Sequence, residues 1–250
     1  MPVSKRRLPE PGPLVLSPTA PLLIPKVIHR IWFGPMLNYH LLFGEAMRKM
    51  YPDWEIAEWR EEHVQGHQYA DIVSQMIADR RYRAASDVFR IILLRDYGGF
   101  YVDSDAEPLA SGVDALRGRE VLLVRETRNN ILNGFQAAVP QHPLLQYMLS
   151  TLEQRLASHK GAADFQTGPW WTTAVFFDFL DSGITWPLSP VRPFLPYSMM
   201  QLIGRGGNQE MVKGSREYPP GTLFAHHWAS ERTKPAKRKV NWALDLREVR

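Results

Sequence analysis

Cysteine is absent from this chain of 250 residues. Disulfides, thiolate metal sites and a cysteine nucleophile are therefore excluded. The absence fits a reducing cytoplasm, the expected location, with peripheral membrane contact as an added expectation. No apolar stretch approaches the roughly 20 residues that a membrane span needs. A large charge imbalance is also missing: the net charge is +4, although the isoelectric point is near 9.3. The basic excess is local, because Arg232, Lys234, Lys237, Arg238 and Lys239 cluster near the end. That cluster reads as a solvated tail or as a contact for an anionic membrane or a phosphate-bearing substrate. Lys5, Arg6 and Arg7 precede an apolar segment in the manner of a secretory leader. Prolines at 9, 11, 13, 18, 21 and 25 interrupt that segment and argue against one.

What remains is an ordinary globular composition, with 44% hydrophobic and 22% charged residues. Three parts are expected: a Pro-rich arm over 1–24, one domain over 25–231 and a basic tail over 232–250. Lys26 to Phe33 reads as a buried strand closed by Gly34-Pro35. Alternation marks Trp54–Trp59 as a second strand. Helical spacing appears over 39–50, 67–80 and, most clearly, from Arg83 to Asp96, which Gly98-Gly99 stops. Phe100–Asp103, Val121–Val124, Phe135–Val139 and Thr222–Trp228 read as strands, and 142–158 and 169–181 as helices. Alternating strands and helices predict an α/β/α sandwich of Rossmann type with a mainly parallel central sheet. Gly204-Arg-Gly-Gly207 lacks the flanking elements of a dinucleotide fingerprint and reads as a loop.

The chemistry concentrates in Tyr101-Val-Asp-Ser-Asp105. Residues two apart on a strand face one way, so Tyr101, Asp103 and Asp105 are expected on one face at the strand's C-terminal end. Open α/β sheets bind ligands at that end. Two carboxylates there can hold Mg²⁺ or Mn²⁺, which would neutralise charge on a departing diphosphate. A solvated acidic turn is the bland alternative. Context favours the first reading: a long helix, a Gly-Gly break and a short aromatic strand precede the pair.

The run from Arg83 to Leu109 resembles the signature of glycosyltransferase family 32. Ile24–Gly34, Asn133–Pro143 and Thr167–Pro169 resemble further family segments. The resemblance implies a GT-A fold and a nucleotide-sugar donor, UDP- or GDP-linked. It implies Mn²⁺ or Mg²⁺ on Asp103 and Asp105, and a glycan, glycolipid or protein acceptor. Retention of anomeric configuration is implied too. By the same resemblance Asp87 and Arg90, three apart on one helix face, contact the donor, whereas spacing alone favours a surface ion pair. Trp32 is either a core aromatic or the platform for the donor base. Tyr101 and Ser104 are expected at the donor as well. Asn133 is expected to reach a sugar hydroxyl or to form a turn with Gly134. One of Trp170 and Trp171 is a candidate for the acceptor groove.

Related retaining enzymes take a late histidine, followed by an aromatic, as a metal ligand. His227-Trp228 resembles that pair, so His227 is the expected third ligand and His226 the buried structural one. Ser230 is an alternative oxygen ligand. A metal-dependent phosphohydrolase is a competing reading, but Ala106-Glu107 after the acidic pair argues against it. A nucleic-acid-binding protein is another; no such motif accompanies the basic tail, and no nucleic acid is expected as a partner.

Overall fold

The computed structural model describes residues 6–8, 21–127, 129–158, 166–184, 194–196, 200–202 and 222–227. Trp228, Ser230, Gly204–Gly207 and the basic cluster from Arg232 to Lys239 lie outside these residues.

Apolar β-branched residues start the chain of elements at β1 (Val27–Ile31), buried throughout. Helix α1 (Asn38–Met50) and strand β2 (Glu55–Trp59) follow. Next come α2 (Ala70–Ala78) and the long α3 (Tyr82–Tyr97). Strands β3 (Gly99–Val102) and β4 (Ala106–Pro108) flank the acidic pair. Strands β5 (Val121–Thr127) and β6 (Asn130–Ala138) then form a hairpin. Helices α4 (Pro143–Ser150), α5 (Leu152–Ser158) and α6 (Pro169–Asp181) come next. Three short strands complete the order: β7 (Phe194–Pro196), β8 (Met200–Leu202) and β9 (Phe224–His226).

The main sheet has the order β2-β1-β3-β6-β5-β7. Strands β2, β1 and β3 are mutually parallel, β6 runs against both β3 and β5, and β7 runs with β5. One reversed strand among six leaves the sheet mainly parallel, as expected. Its two faces bury separate cores. Helices α2, α3, α4 and α6 bring Val73, Phe89, Ile92, Met148 and Trp171 to one face. Met47 of α1 and Phe224 of β9 meet Ile28, Phe100 and Phe135 on the other. Burying each such side chain stabilises the fold by about 1.5–3 kcal/mol.

Helix α3 carries the most of this packing, with Val88, Phe89, Ile92 and Leu93 all at 0% exposure. It ends because Gly98 and Gly99 take φ values of +65° and +91°. Gly99 must also be bare, since a Cβ there would lie 2.3 Å from Val27 Cγ1. The turn feeds β3 directly beside β1, with Ile28 opposite Phe100. His29 locks the same corner. Its Nε2 donates to the Gly98 carbonyl at 2.8 Å, while Nδ1 accepts from Trp59 Nε1 at 3.0 Å.

Two expectations need correction. The helix expected over 142–158 is divided at Thr151. There Ser150 and Thr151 turn their hydroxyls onto the carbonyls of Tyr147 and Met148. Asn133-Gly134 is no turn: both residues lie inside β6, which begins at Asn130. At the N-terminal side, Leu8 and Ile24 are buried in the two cores. Arg6 reaches Asp181 of α6 at 2.6 Å.

Candidate active site

Asp103 and Asp105 leave the sheet at the C-terminal end of β3. Strand alternation does not gather them, because β3 stops at Val102. A tight turn does: the Ala106 amide donates to the Asp103 carbonyl at 2.9 Å. The Asp103 amide is tied to the Gly134 carbonyl of β6 at 2.9 Å. Ser104, between the acids, spends its hydroxyl on the Ile31 carbonyl at 2.5 Å. That contact pins the turn to β1, while Ser104, expected at the donor, lines the cleft beside the two acids.

Strand β4 then pairs antiparallel with β9, placing Ala106 opposite His226. This register delivers the His226 ring to the acidic turn. Its Nε2 lies 3.2 Å from Asp103 Oδ2 and 3.0 Å from Asp105 Oδ1. One ligand atom from each of the three residues falls within 4.8 Å of the others. His227, expected here, lies one residue past β9, and its side chain points elsewhere. Its Nε2 sits 2.9 Å from Glu107 Oε2, and its ring stacks on Phe43 with centroids 5.1 Å apart. Gly134 makes the approach possible, since a Cβ would stand 2.8 Å from Asp103 Oδ2 and 3.2 Å from His226 Cε1.

The charges of this cluster are set by one another. Burial alone would discharge His226, but the Asp105 charge and hydrogen bonds to both carboxylates outweigh it and push the imidazole up to about 10. Burial also opposes ionisation of Asp103. Arg90, His226 and Tyr101 more than offset that and hold the carboxyl well below the usual range. A divalent cation would compete with the imidazole proton for the same three groups.

Arg90 and Asp87 are buried rather than surface partners. Arg90 Nη2 donates to Asp87 Oδ1 at 2.6 Å, and Nη1 reaches Asp103 Oδ1 at 3.4 Å and the Asn133 carbonyl. The guanidinium lies over the Tyr101 ring, 4.4 Å from its centre, while the Tyr101 hydroxyl donates to Asp103 Oδ1 at 2.7 Å. Burial disfavours the Arg90 charge, but Tyr101, Asp87 and Asp103 keep it protonated. The α3 pair and the acidic turn therefore form one network.

Asn133 is saturated by protein groups. Its amide nitrogen donates to Asp87 Oδ1 at 2.9 Å and to the Thr167 carbonyl at 3.4 Å. Its oxygen accepts from Thr172 Oγ1 at 2.8 Å and Gln136 Nε2 at 3.4 Å. Two donors and two acceptors exhaust an amide. The geometry makes Asn133 a support for Asp87, not a free group for a sugar.

The cleft continues from the acidic turn past Asp87 to an aromatic wall of Trp32, Tyr39 and Tyr82, with exposed Arg83 at its rim. Trp32 is half-buried, held by an Nε1 bond to the Pro35 carbonyl at 2.9 Å and edge-on to Tyr39. Trp171 belongs to the core, whereas Trp170 is 38% exposed next to the cleft-lining Pro169. Reading the sequence missed Gly134, Gln136 and Thr172. Only the glycine left a signal, since a glycine inside a strand marks a close approach. Among the described residues no helix is long and apolar enough to cross a membrane.

Comparison with known proteins shows what the region is similar to. Residues 39–123 match the family described as the glycosyltransferase sugar-binding region containing a DXD motif. Over 141 residues the chain is 24% identical to the mannosyl phosphorylinositol ceramide synthase of Saccharomyces cerevisiae. It is 25% identical over 141 residues to inositol phosphoceramide mannosyltransferase 2 of Schizosaccharomyces pombe. Each match covers 55% of this chain but only 37% and 41% of the relatives, so the chain spans well under half their length. Among solved structures, the PaToxG glycosyltransferase superposes with a TM-score of 0.54 at 18% identity, covering 64% of this chain and 71% of that one. The UDP-bound glycosyltransferase domain of the YGT toxin gives 0.50 at 9% identity, with 70% and 80% covered. These superpositions bear out the expected GT-A fold, and the family-model match over 39–123 includes the run from Arg83 to Leu109 on which the resemblance was expected.

Proposed function

We propose that this chain, a carrier of the DXD-motif glycosyltransferase region, moves a sugar from a nucleotide-sugar donor to an acceptor with the help of a divalent cation. The convergence of Asp103, Asp105 and His226 within 4.8 Å carries the reading. Two carboxylate oxygens and one imidazole nitrogen suit Mn²⁺ better than Mg²⁺. The bare Gly134 leaves space against Asp103 and His226, so the residues present fit such an ion. Bound there, the cation would supply charge neutralisation for the departing nucleoside diphosphate.

The chain's own residues do the rest. Tyr101 and Arg90 share Asp103 Oδ1, which leaves Oδ2, on the His226 side, for the ion. Asn133 and Arg90 fix Asp87, which orients the sugar beside the acidic turn. Trp32 supplies a face for the nucleobase, and Arg83 at the rim meets negative charge on the donor. The two yeast relatives, a mannosyl phosphorylinositol ceramide synthase and an inositol phosphoceramide mannosyltransferase, point to a mannosyl donor and a lipid acceptor. The UDP in the toxin domain points to uridine. Both nucleotides, and glycan, lipid-linked and protein acceptors, therefore belong in the test. Retention of configuration, a cytoplasmic location and docking of the 232–239 cluster on anionic lipid complete the proposal.

Release of nucleoside diphosphate should be measured over a panel of UDP- and GDP-sugars with Mn²⁺, with and without EDTA. At least one donor should turn over, EDTA should silence it, and Asp105→Asn should remove it. Full turnover in EDTA would defeat the cation's role. Hydrolysis of simple phosphomonoesters without donor turnover would favour a phosphohydrolase.

A further inference from the structure

Arg30 is an anomaly in β1. It stands in an apolar strand, and its side chain has 0% exposure. A buried guanidinium must satisfy five donors and offset a large desolvation cost. Its Nε finds no acceptor among the described residues. An apolar residue would serve packing at least as well.

The remaining donors reach three places. Nη1 donates to Glu58 Oε1 at 2.6 Å. Nη2 donates to the His40 carbonyl at 2.9 Å and to the Ser104 carbonyl at 3.0 Å. The Ser104 carbonyl belongs to the Ser104–Asp105 peptide, the second of the two that link the metal-facing acids. Holding it fixes the plane of that peptide, and with it the direction in which Asp105 leaves the chain. The Ser104 hydroxyl on Ile31 pins the same turn from its other side. The His40 carbonyl lies in the first turn of α1, next to Tyr39 of the cleft wall.

The clamp is itself braced. Glu58 also contacts His40 Nε2 at 3.0 Å and Arg48 Nη2 at 3.3 Å. Gly44 of α1 clears the space, because a Cβ there would lie 2.3 Å from Arg30 Nη1 and 2.6 Å from Glu58 Oε1.

We propose that Arg30 is a positioning residue for the cation site: braced by Glu58, it holds the Ser104 carbonyl and so sets the spacing of Asp103 and Asp105. This rests on the cation reading above. Lysine can reach Glu58 but lacks the planar fork that serves Glu58, His40 and Ser104 together. Arg30→Lys should therefore fold yet bind Mn²⁺ about 10- to 100-fold more weakly, the usual loss when a supporting partner of a ligand is removed. The neutral double variant Arg30→Met/Glu58→Gln leaves no uncompensated buried charge at this pair and should show the same loss.

The readout is Mn²⁺ alone, titrated against wild type and both variants by the loss of its free electron paramagnetic resonance signal. Melting temperatures are recorded alongside. Weaker Mn²⁺ binding by the folded variants supports the clamp. Lower melting temperature with wild-type Mn²⁺ affinity would overturn it and leave Arg30 a purely structural residue. Failure of the wild type to bind Mn²⁺ would instead remove the cation reading on which the clamp depends.

Discussion

At the scale of single residues, the site turns on which of two adjacent histidines meets the acidic pair. The sequence offered His226-His227 with no way to tell strand face or pairing register. The register of β9 on β4 decides for His226, and His227 joins Glu107 and Phe43 instead. His226→Ala should lower turnover at least about 100-fold, since a few kcal/mol of charge stabilisation are at stake. His227→Ala should lose only about 1 kcal/mol of stability, one hydrogen bond and one stack. Kinetics and urea unfolding of the two variants check this, and the reverse ranking would return His227 to the metal. Gly134→Ala is the companion test. Its new methyl meets Asp103 Oδ2 at 2.8 Å, so Mn²⁺ affinity should fall about 10-fold or more with little change in melting temperature. An alanine variant with wild-type affinity would show that the acidic pair has slack.

At the scale of elements, much of the fold could be read directly. The helical period of α3, its Gly-Gly stop and the apolar β1 each follow from local chemistry, and they place the acidic pair at a strand end. Tyr101 and Asp103 could be named from their place at the strand end, whereas Asp87 and Arg90 were named through the family resemblance, since spacing alone favoured a surface pair. The role of Asn133 could not be read, because Gln136, Thr167 and Thr172 reach it from β6 itself, the α6 approach and α6. The reversed direction of β6 and the short strands β4, β7 and β8 were equally hidden, since three-residue strands carry no period. The Gly98-Gly99 turn is the element-scale prediction. Gly99→Ala forces a side chain onto φ +91° and against Val27. It should destabilise the protein by about 3 kcal/mol or more. Chemical denaturation measures this, and a cost below about 1 kcal/mol would mean that the turn relaxes freely.

At the scale of the whole molecule, the acid limb of stability should report the buried histidines. Burial holds His29 and His142 down to about 4, well below the ordinary 6.5. Each is neutral when folded and takes up its proton more readily when unfolded. Their contribution is thus complete above pH 6.5 and is lost as the pH falls from there toward 4, by roughly 3 kcal/mol apiece. Unfolding free energies at pH 7, 5.5 and 4.5 should fall in that order, and a flat profile would contradict the burial of both rings. The central claim is that Asp103, Asp105 and His226 together hold one divalent cation against the donor diphosphate. Anomalous diffraction at the manganese edge, from crystals grown with Mn²⁺ and UDP, tests it most directly. A single peak within about 2.5 Å of Asp103, Asp105 and His226 and of the diphosphate oxygens is predicted. A manganese peak bound without His226, or no peak at the acidic turn, would contradict it.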